Sequence, residues 1–281
     1  MPELPEVETL VRRLRQPLIG RTLIAARVRW ARTIARPAPR DFARTIRGFT
    51  IVAINRRAKY LVFELHRRAA PTRSARGGPT TAFLLIHLKM SGKLSVRDRA
   101  APIEQHDRVI FDLDDDRQLR FNDVRKFGRM HLVTHIDEVT GAHGPEPLDD
   151  DFTLDVFRAR LKARSGAIKP LLLNQRFLSG VGNIYADEAL WYAKIHPRRK
   201  AGSLSDAEIA ALYRSIRRVL RRAITDQGTD AGDGVIEGDY RPRVYDRAGR
   251  PCHRCRRPIQ RIVVGQRGTH FCPACQRQRG K

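Results

Sequence analysis

Four cysteines near the end of the chain constrain its fold more than any other feature. Cys252 and Cys255 have two residues between them, as do Cys272 and Cys275, and sixteen residues separate the two pairs. Two pairs at this separation fit a tetrahedral zinc site with four thiolate ligands on a β-hairpin and no open coordination position. Zinc binding contributes about 10–16 kcal/mol in small finger peptides, enough to hold a hairpin that has almost no core. We therefore predict one structural Zn²⁺ per chain, in a finger over residues 244–281.

The charge of the chain indicates a polyanionic partner. Lys and Arg number 55 and Asp and Glu 30, which gives a formal net charge of +25. An excess of this size favours nucleic acid as the partner, with an anionic membrane as the second choice. No apolar run approaches the roughly 18 residues of a membrane span, and the N-terminus is acidic before it is apolar, unlike a signal peptide. We expect a cytoplasmic protein in a reducing compartment, where four cysteines indicate a metal site rather than disulfides.

The first half of the chain predicts one helix followed by many strands. Val7, Leu10, Val11 and Leu14 recur at helical spacing after Pro5, which suits a first helical turn. Short runs rich in Val, Ile, Leu and Phe follow, and this pattern favours an antiparallel sandwich or barrel. The predicted strands are Thr22–Val28, Thr50–Asn55, Tyr60–Leu65, Ala82–Leu88, Arg108–Leu113, Gln118–Phe121 and Met130–Val133.

The second half of the chain predicts helices. Residues 144–150 are interpreted as a linker, because Gly and Pro are frequent there. A capping box of Ser205 and Glu208 marks the start of the longest helix. Residues 67–81 and 226–243 are interpreted as mobile loops. The predicted helices are Asp151–Ala163, Ile168–Leu173, Gly182–Ala193 and Ser205–Thr225.

Two glycines precede the third of these helices. Gly180 and Gly182 lead into a helix start, where free backbone N–H groups and the helix dipole form an anion site. Asn183 at that start, and Lys169 at the start of the preceding helix, are placed to donate to a phosphate oxygen. Taken alone, the segment fits a plain helix start as well as it fits a DNA contact.

A turn between two predicted strands carries a cation and an aromatic ring two residues apart. Arg125 and Phe127 lie on the turn Asn122–Gly128, and Met90 lies in an earlier turn. An apolar wedge with a hydrogen-bonding guanidinium suits the opening of a base stack and the filling of the gap that remains. Taken singly, each of the three side chains is more often part of a core.

The N-terminus offers an amine nucleophile. If Met1 is removed, Pro2 supplies a secondary amine, which forms an iminium ion with an aldehyde-level carbon without any lysine. A free α-amino group has a pKa of about 7.7–8.0, against about 10.4 for lysine, so more of it is uncharged at neutral pH. Glu3 places a carboxylate beside it. In an arbitrary protein, the same residues are more often a simple lead into a helix.

Together these segments resemble the formamidopyrimidine-DNA glycosylase family of bacterial base-excision repair enzymes, which is related to endonuclease VIII. The resemblance covers almost the whole chain, with several independent motifs in the same order. The matching segments are Pro2–Thr9, Arg56–Leu61, His87–Gly92, Asn122–Gly128, Gly144–Leu148, Gly180–Tyr185 and the four-cysteine finger.

The resemblance implies an α+β fold with two domains. An N-terminal antiparallel β-sandwich with its leading helix would span residues 1–143. After the linker, a helix-two-turn-helix domain with a base-capping loop would span residues 151–243, followed by the zinc-finger hairpin over 244–281. The family is a group of bifunctional enzymes: they excise oxidised purines, chiefly 8-oxoguanine and formamidopyrimidines, and then cut the abasic strand. The resemblance implies damaged duplex DNA as the partner, no membrane, no obligate protein partner and a monomer.

The resemblance also implies roles for individual side chains. Pro2 would be the nucleophile that attacks C1′ of the flipped nucleotide, and Glu3 would transfer protons near the sugar. Lys59 matches the lysine assigned to β-elimination, and Arg267 matches the finger arginine assigned to δ-elimination and phosphate binding. Met90, Arg125 and Phe127 match the residues that fill the gap left by the flipped base. Further DNA contacts would come from His106, Arg164, Lys169 and Asn183.

Two segments depart from the family pattern. The segment between Gly228 and Val244 is shorter than is typical, and Asp230–Gly234 replaces the expected Thr-Leu-x-Asp-Phe run. Since this segment caps the extruded base in the family, it leaves open a preference for oxidised pyrimidines like that of endonuclease VIII. Residues 67–81 also look longer than the usual hairpin connection. A DNA-binding protein without catalysis is the other alternative, but it would not need Pro2, Glu3 and Lys59.

Overall fold

The computed structural model describes residues 1–67, 80–230 and 238–278. Its helices are α1 (Leu4–Leu18), α2 (Pro39–Ile46), α3 (Asp137–Thr140), α4 (Leu154–Lys162), α5 (Ile168–Leu173), α6 (Asn183–Ala193) and α7 (Asp206–Thr225). Its strands are β1 (Leu23–Val28), β2 (Ile34–Arg36), β3 (Thr50–Arg57), β4 (Tyr60–His66), β5 (Thr81–His87), β6 (Gly92–Asp98), β7 (Asp107–Leu113), β8 (Arg117–Asp123), β9 (Arg129–Val133), β10 (Gln260–Val264) and β11 (Arg267–Phe271). Among the helices of these ranges, none is long and apolar enough to cross a bilayer.

The two predicted loops are described only in part. Residues 68–79 of the first loop and 231–237 of the second lie outside the described residues. Both interpretations therefore stay predictions, as does the capping role of the second loop.

The predicted leading helix is confirmed as α1. Val7 and Val11 are fully buried, Leu10 and Leu14 nearly so, and the arginines between them are exposed. The helix therefore buries one apolar stripe against the sheets and turns its cationic face to solvent.

Two β-sheets pack on one core in the first half of the chain, which confirms the sandwich. Within the described residues, the four-stranded sheet has the order β1-β7-β8-β6 and the five-stranded sheet the order β2-β9-β5-β4-β3. Phe111 and Phe121 from the first sheet share a buried cluster with Phe63 and Ile86 from the second. Neighbouring strands are antiparallel, with one exception, since β2 pairs with β9 in parallel.

Four named elements of this half are missing from the sequence-based prediction, among them the four-residue helix α3. The helix α2 buries only Phe42 and Ile46 and lies in an arginine-rich stretch. The strand β2 is three residues long, and β6 buries little besides Leu94. Each element has too few apolar residues for its periodicity to stand out, and tertiary packing forms it instead.

The four helices predicted in the second half are confirmed as α4 to α7. All four contribute to one buried cluster, for example through Phe157 of α4 and Leu190 of α6. The predicted capping box is present: Glu208 donates its backbone N–H to Ser205 Oγ over 3.3 Å, and Ser205 donates its own to Glu208 Oε2 over 2.9 Å.

The described chain divides into two compact units. One unit contains Met1–Pro2 and Glu6–Ala142. The other contains Glu3–Pro5, His143–Thr229 and the chain from Gly238. Glu3–Pro5 therefore belong to the helical unit, together with the cysteine-rich hairpin, whereas Met1 and Pro2 belong to the other unit.

Candidate active site and nucleic-acid interface

The carboxylate of Glu3 lies at the N-terminus of α6. Gly182 donates its backbone N–H to Glu3 Oε2 over 2.7 Å, and Ile184 donates to Glu3 Oε1 over 2.9 Å. Glu3 is only 2% exposed, so these donors and the positive end of the helix dipole replace water around its charge. The anion site predicted at this helix start is therefore present, and the anion that fills it is a carboxylate of the same chain.

The two glycines before α6 make room for the N-terminal segment. Leu4 donates its backbone N–H to Gly180 O over 3.1 Å. A Cβ atom on Gly180 would lie 2.7 Å from Leu4 Cδ1, and one on Gly182 would lie 2.4 Å from Glu3 Cδ. Gly180 also has a φ of +80°, a backbone angle that residues with a side chain rarely adopt. The glycines therefore fix the place of Glu3 rather than merely starting a helix.

Replacing Gly182 by Ala is expected to displace the Glu3 carboxylate. The added methyl group would overlap that carboxylate, so folding stability should fall by about 1–3 kcal/mol. A shift of about 1 Å in a reacting group can cost on the order of a hundredfold in rate. Thermal unfolding measures the first effect, and a single-turnover rate measures the second. Gly166→Ala is the matched control because its added Cβ meets nothing within 4 Å; equal activity in the two variants would contradict this role for Gly182.

A buried ion pair joins α5, α6 and the β10–β11 hairpin. Lys169 Nζ lies 2.6 Å from Asp187 Oδ1, and both side chains are fully buried. The same ammonium donates to Thr269 Oγ1 over 2.8 Å and to Gly268 O over 3.1 Å, and Asn183 Nδ2 donates to Gly268 O over 3.0 Å. Burial lowers the pKa of Lys169, and the neighbouring Asp187 carboxylate opposes that shift. The residues that follow Arg267 are thereby fixed by charges on two helices.

This network gives Lys169 and Asn183 partners that the sequence does not reveal. Both were predicted to donate to DNA phosphates, and in the structure both donate to the backbone beside Arg267. Their DNA contacts stay predictions. Sequence patterns do not identify Asp187 as part of this network. Its position one helical turn after Asn183 is the one feature that places it on the same helix face.

Arg267 lies directly after a tight turn. Gly265 and Gln266 connect β10 to β11, with φ values of 57° and 61°. Two residues with positive φ form the turn whose twist suits a β-hairpin. A Cβ atom on Gly265 would lie 2.7 Å from Pro170 Cγ, so the turn packs against α5. The exposed Arg267 side chain therefore extends from a backbone that is held on one side.

The four cysteines fit the zinc ion that the sequence predicts. Their Sγ atoms all lie within 4.8 Å of one another, and those of Cys255 and Cys272 are 3.4 Å apart. A tetrahedron with Zn–S bonds of about 2.3 Å separates its sulfurs by about 3.8 Å. Backbone N–H groups donate to sulfur as well, over 3.4 Å from Arg254 to Cys252 and over 3.4 Å from Cys275 to Cys272. The donor set is that of a closed structural site.

Met90, Arg125 and Phe127 extend from neighbouring turns of the sandwich. Met90 is 41% exposed and Phe127 is 47% exposed, so neither is a core residue. The Arg125 guanidinium lies over the Phe127 ring, 5.1 Å from its centroid. Exposed apolar side chains beside an exposed cation are suited to inserting into a base stack.

Pro2 and Lys59 belong to the same compact unit, and both are buried. Lys59 follows Ala58, which has a φ of 53°, in the turn between β3 and β4. Arg56 stabilises this turn by donating to Ala58 O over 3.1 Å and to Glu8 Oε2 over 3.3 Å. The turn that carries Lys59 is thereby tied to α1, which begins two residues after Pro2.

The two remaining predicted DNA contacts belong to different compact units. Arg164 is exposed just after α4, where Lys162 and Lys200 line the same open depression of about 580 Å³. His106 is half-buried, and its Nδ1 lies 2.9 Å from a guanidinium nitrogen of Arg108. Cations around Arg164 suit a phosphate, but no further described side chain near Arg164 or His106 specifies a ligand.

Comparison with known proteins gives one consistent result. Three family models match: the formamidopyrimidine-DNA glycosylase N-terminal domain over residues 1–130, its H2TH domain over residues 143–232, and a zinc finger found in FPG and IleRS over residues 249–278. A formamidopyrimidine-DNA glycosylase from Herpetosiphon aurantiacus is 46% identical, covering 98% of this chain and 100% of that protein. Lactococcus lactis Fpg, solved with DNA containing an oxidised pyrimidine, has a TM-score of 0.88 and 37% identity, covering 99% of this chain and 100% of that one. The same protein solved with Fapy-dG DNA has a TM-score of 0.88 and 36% identity, covering 98% and 100%. This chain belongs to the formamidopyrimidine-DNA glycosylase family.

Proposed function

We propose that this chain is a bifunctional DNA glycosylase and AP lyase that excises oxidised purines from duplex DNA. The observation that carries the proposal is the N-terminal Pro2-Glu3 pair, whose carboxylate is fixed at the start of α6. Membership of the family and the net charge of +25 support the same conclusion. A non-catalytic lesion-binding protein would have no use for a buried carboxylate beside a potential amine nucleophile.

The chemistry begins at the nitrogen of Pro2 once Met1 has been removed. Its lone pair forms a bond to C1′ while the electrons of the glycosidic bond leave with the base, which takes up a proton. The sugar ring opens as O4′ gains a proton, and the C1′–N bond becomes an iminium ion. Covalent catalysis of this kind replaces one difficult step by easier ones.

The iminium ion then drives cleavage of the strand. It acidifies the C2′ proton, and loss of that proton expels the 3′ phosphate by β-elimination. Loss of the C4′ proton next expels the 5′ phosphate by δ-elimination, and water releases Pro2. Each step needs a positioned acid or base.

The remaining charged residues hold protons and phosphates in this scheme. Glu3 moves protons at the sugar from a position that its two backbone donors fix. Lys59 acts in β-elimination, and Arg267 holds a phosphate during δ-elimination. Bound zinc supplies structure alone, because Cys252, Cys255, Cys272 and Cys275 would fill its coordination shell.

Extrusion of the damaged nucleotide costs a few kcal/mol of unstacking. Met90, Arg125 and Phe127 offset that cost by filling the gap, with Arg125 facing the orphaned base. His106, Arg164, Lys169 and Asn183 serve the phosphate backbone, the last two in part through the hairpin that they support. We propose that one monomer of this chain performs the whole reaction on duplex DNA.

A panel of duplexes with one lesion each tests the proposed function. We expect strand cleavage and a borohydride-trapped covalent complex with 8-oxoguanine opposite cytosine and with formamidopyrimidine lesions. Gel separation of the 3′ ends distinguishes β- from δ-elimination. A relative has been solved with an oxidised pyrimidine in its DNA, so the panel includes one; faster excision of that base would reject the purine preference. Tight binding without cleavage of any duplex would favour the lesion-binding alternative.

A further inference from the structure

The carboxylate of Asp123 connects the two turns that carry the gap-filling side chains. Asp123 is the last residue of β8 and is fully buried. Its Oδ1 accepts a hydrogen bond from Ser91 Oγ over 2.5 Å, and its Oδ2 accepts one from the backbone N–H of Gly128 over 2.7 Å. Ser91 follows Met90, and Gly128 follows Phe127. One carboxylate therefore holds the backbone next to both apolar side chains.

The hydroxyl group of Ser91 extends this connection to the third side chain. Ser91 Oγ donates to Asp123 and also accepts the backbone N–H of Arg125 over 3.1 Å. A serine hydroxyl has one donor and two acceptor sites, so it performs both functions at once. Removing the hydroxyl would break the hydrogen bonds that join the Met90 turn to Asp123 and Arg125. The hydrogen bond between Asp123 and Gly128 would stay in place.

Two glycines let these turns approach each other over one aromatic ring. A Cβ atom on Gly92 would lie 2.8 Å from Phe121 Cζ, and one on Gly128 would lie 2.3 Å from the same atom. Both turns are therefore seated on the buried Phe121 ring. This close packing leaves room for the hydrogen bonds of Asp123 but little room for either turn to move alone.

The backbone of Asp123 also connects these turns to His106, another predicted DNA contact. Asp123 donates its N–H to His106 O over 2.9 Å, and its own carbonyl accepts from Arg108 Nε over 2.9 Å. Lys126, on the same turn, lies over the ring of Trp30, 4.3 Å from its centroid. The turn is thus held at both ends and at its middle before any DNA is bound.

We propose that Asp123 and Ser91 are positioning residues that make Met90, Arg125 and Phe127 enter the base stack as one rigid unit. This inference rests on the proposed function, because Asp123 and Ser91 add no new chemistry and affect only extrusion of the base. Ordering the three side chains beforehand removes an entropic cost that would otherwise fall on the extrusion step. The Asp123–Ser91 bond is the part that one mild substitution can remove.

A double-mutant cycle tests the coupling. Extrusion is followed by stopped-flow fluorescence of 2-aminopurine placed next to 8-oxoguanine, which reports unstacking without bond cleavage. We expect Ser91→Ala to slow extrusion about tenfold, as for loss of one hydrogen bond to a charged group. Ser91→Thr keeps the hydroxyl and should stay within about twofold of the unaltered chain. Ser91→Ala combined with Met90→Ala should be no slower than Met90→Ala alone, within about twofold, because the hydroxyl joins the Met90 turn to Arg125.

The double variant and Ser91→Thr distinguish a positioning role from a purely structural one. Additive losses in the double variant, or normal extrusion by Ser91→Ala, would overturn the proposal. Equal slowing by Ser91→Thr and Ser91→Ala would also overturn it, since the hydroxyl would then not matter. Thermal unfolding of each variant identifies any loss due to folding, and Asp123→Asn, which removes one of the two acceptors, should give the same pattern. If the unaltered chain extrudes the base but does not release it, the proposed chemistry is wrong while the positioning role is not affected.

Discussion

No covalent complex with DNA is expected while Met1 remains attached to Pro2. In that form the Pro2 nitrogen belongs to an amide, whose lone pair is delocalised into the carbonyl group and does not attack carbon. Borohydride trapping and strand cleavage should both be lost, by at least about a hundredfold.

Pro2→Gly is expected to have a similar effect for a different reason. A secondary amine gives an iminium ion that is charged at every pH, whereas a primary amine gives an imine that must first bind a proton. Glycine also frees the backbone torsions that the proline ring fixes, which loosens the position of the nucleophile. Trapping should fall by about a hundredfold or more.

The matched control for both experiments is the same chain with Met1 removed. Mass spectrometry establishes which form is present, and a mixture of the two forms should give trapped product in proportion to the processed fraction. Excision that is undiminished in the chain that retains Met1, or in Pro2→Gly, would remove Pro2 from the role of nucleophile. Loss of cleavage with normal lesion binding is the expected combination.

Local patterns in the sequence predict most of the regular elements. The α1 stripe follows from the spacing of apolar residues, because one face of that helix is buried. The strands that pair as β4 and β5 follow from short runs rich in Val, Ile, Leu and Phe, which are buried on both faces. The capping box at Ser205 and the cysteine pairs need no knowledge of distant residues. Such features depend on neighbours in the chain, which a sequence shows directly.

The interactions that position the site are different, because they join residues far apart in the chain. Gly182 is conspicuous in the sequence, but its partner Glu3 lies 179 residues earlier. Ser91 and Asp123 are 32 residues apart, and although each lies in a recognisable motif, nothing in the sequence pairs them. Helix physics predicts an anion site at the start of α6 with phosphate as its ligand, whereas the Glu3 carboxylate that lies there is apparent only in three dimensions. The family resemblance predicts the roles of the site residues, but only the structure shows which other residues hold them in position.

Zinc removal by Cys272→Ser is expected to release the whole β10–β11 hairpin. In the described residues this sheet has only two strands, and an isolated two-stranded hairpin is marginal in water. Loss of a site worth about 10–16 kcal/mol in small finger peptides exceeds what the few apolar residues around the site can replace. Metal analysis should show loss of zinc, and hydrogen exchange should show loss of protection in residues 260–271.

The effect should extend from the finger into the helices. Thr269 and Gly268 accept hydrogen bonds from the buried Lys169, which also pairs with Asp187. Without the hairpin, that ion pair would lose three polar partners, since Asp187 Oδ2 also accepts the backbone N–H of His270 over 2.8 Å. Buried charges with missing partners are costly, so the thermal stability of the helical unit should fall as well.

Arg267→Ala separates loss of one cation from loss of the hairpin. That variant should keep its zinc and its thermal stability, and DNA affinity should fall by about tenfold or less, as for a single phosphate contact. Cys272→Ser should lose more affinity than this, because several cations of the finger lose their positions together. Chelation of the unaltered chain should reproduce the Cys272→Ser result, and added zinc should restore the unaltered chain only. Normal DNA affinity in a zinc-free protein would show that the finger does not hold Arg267 for binding.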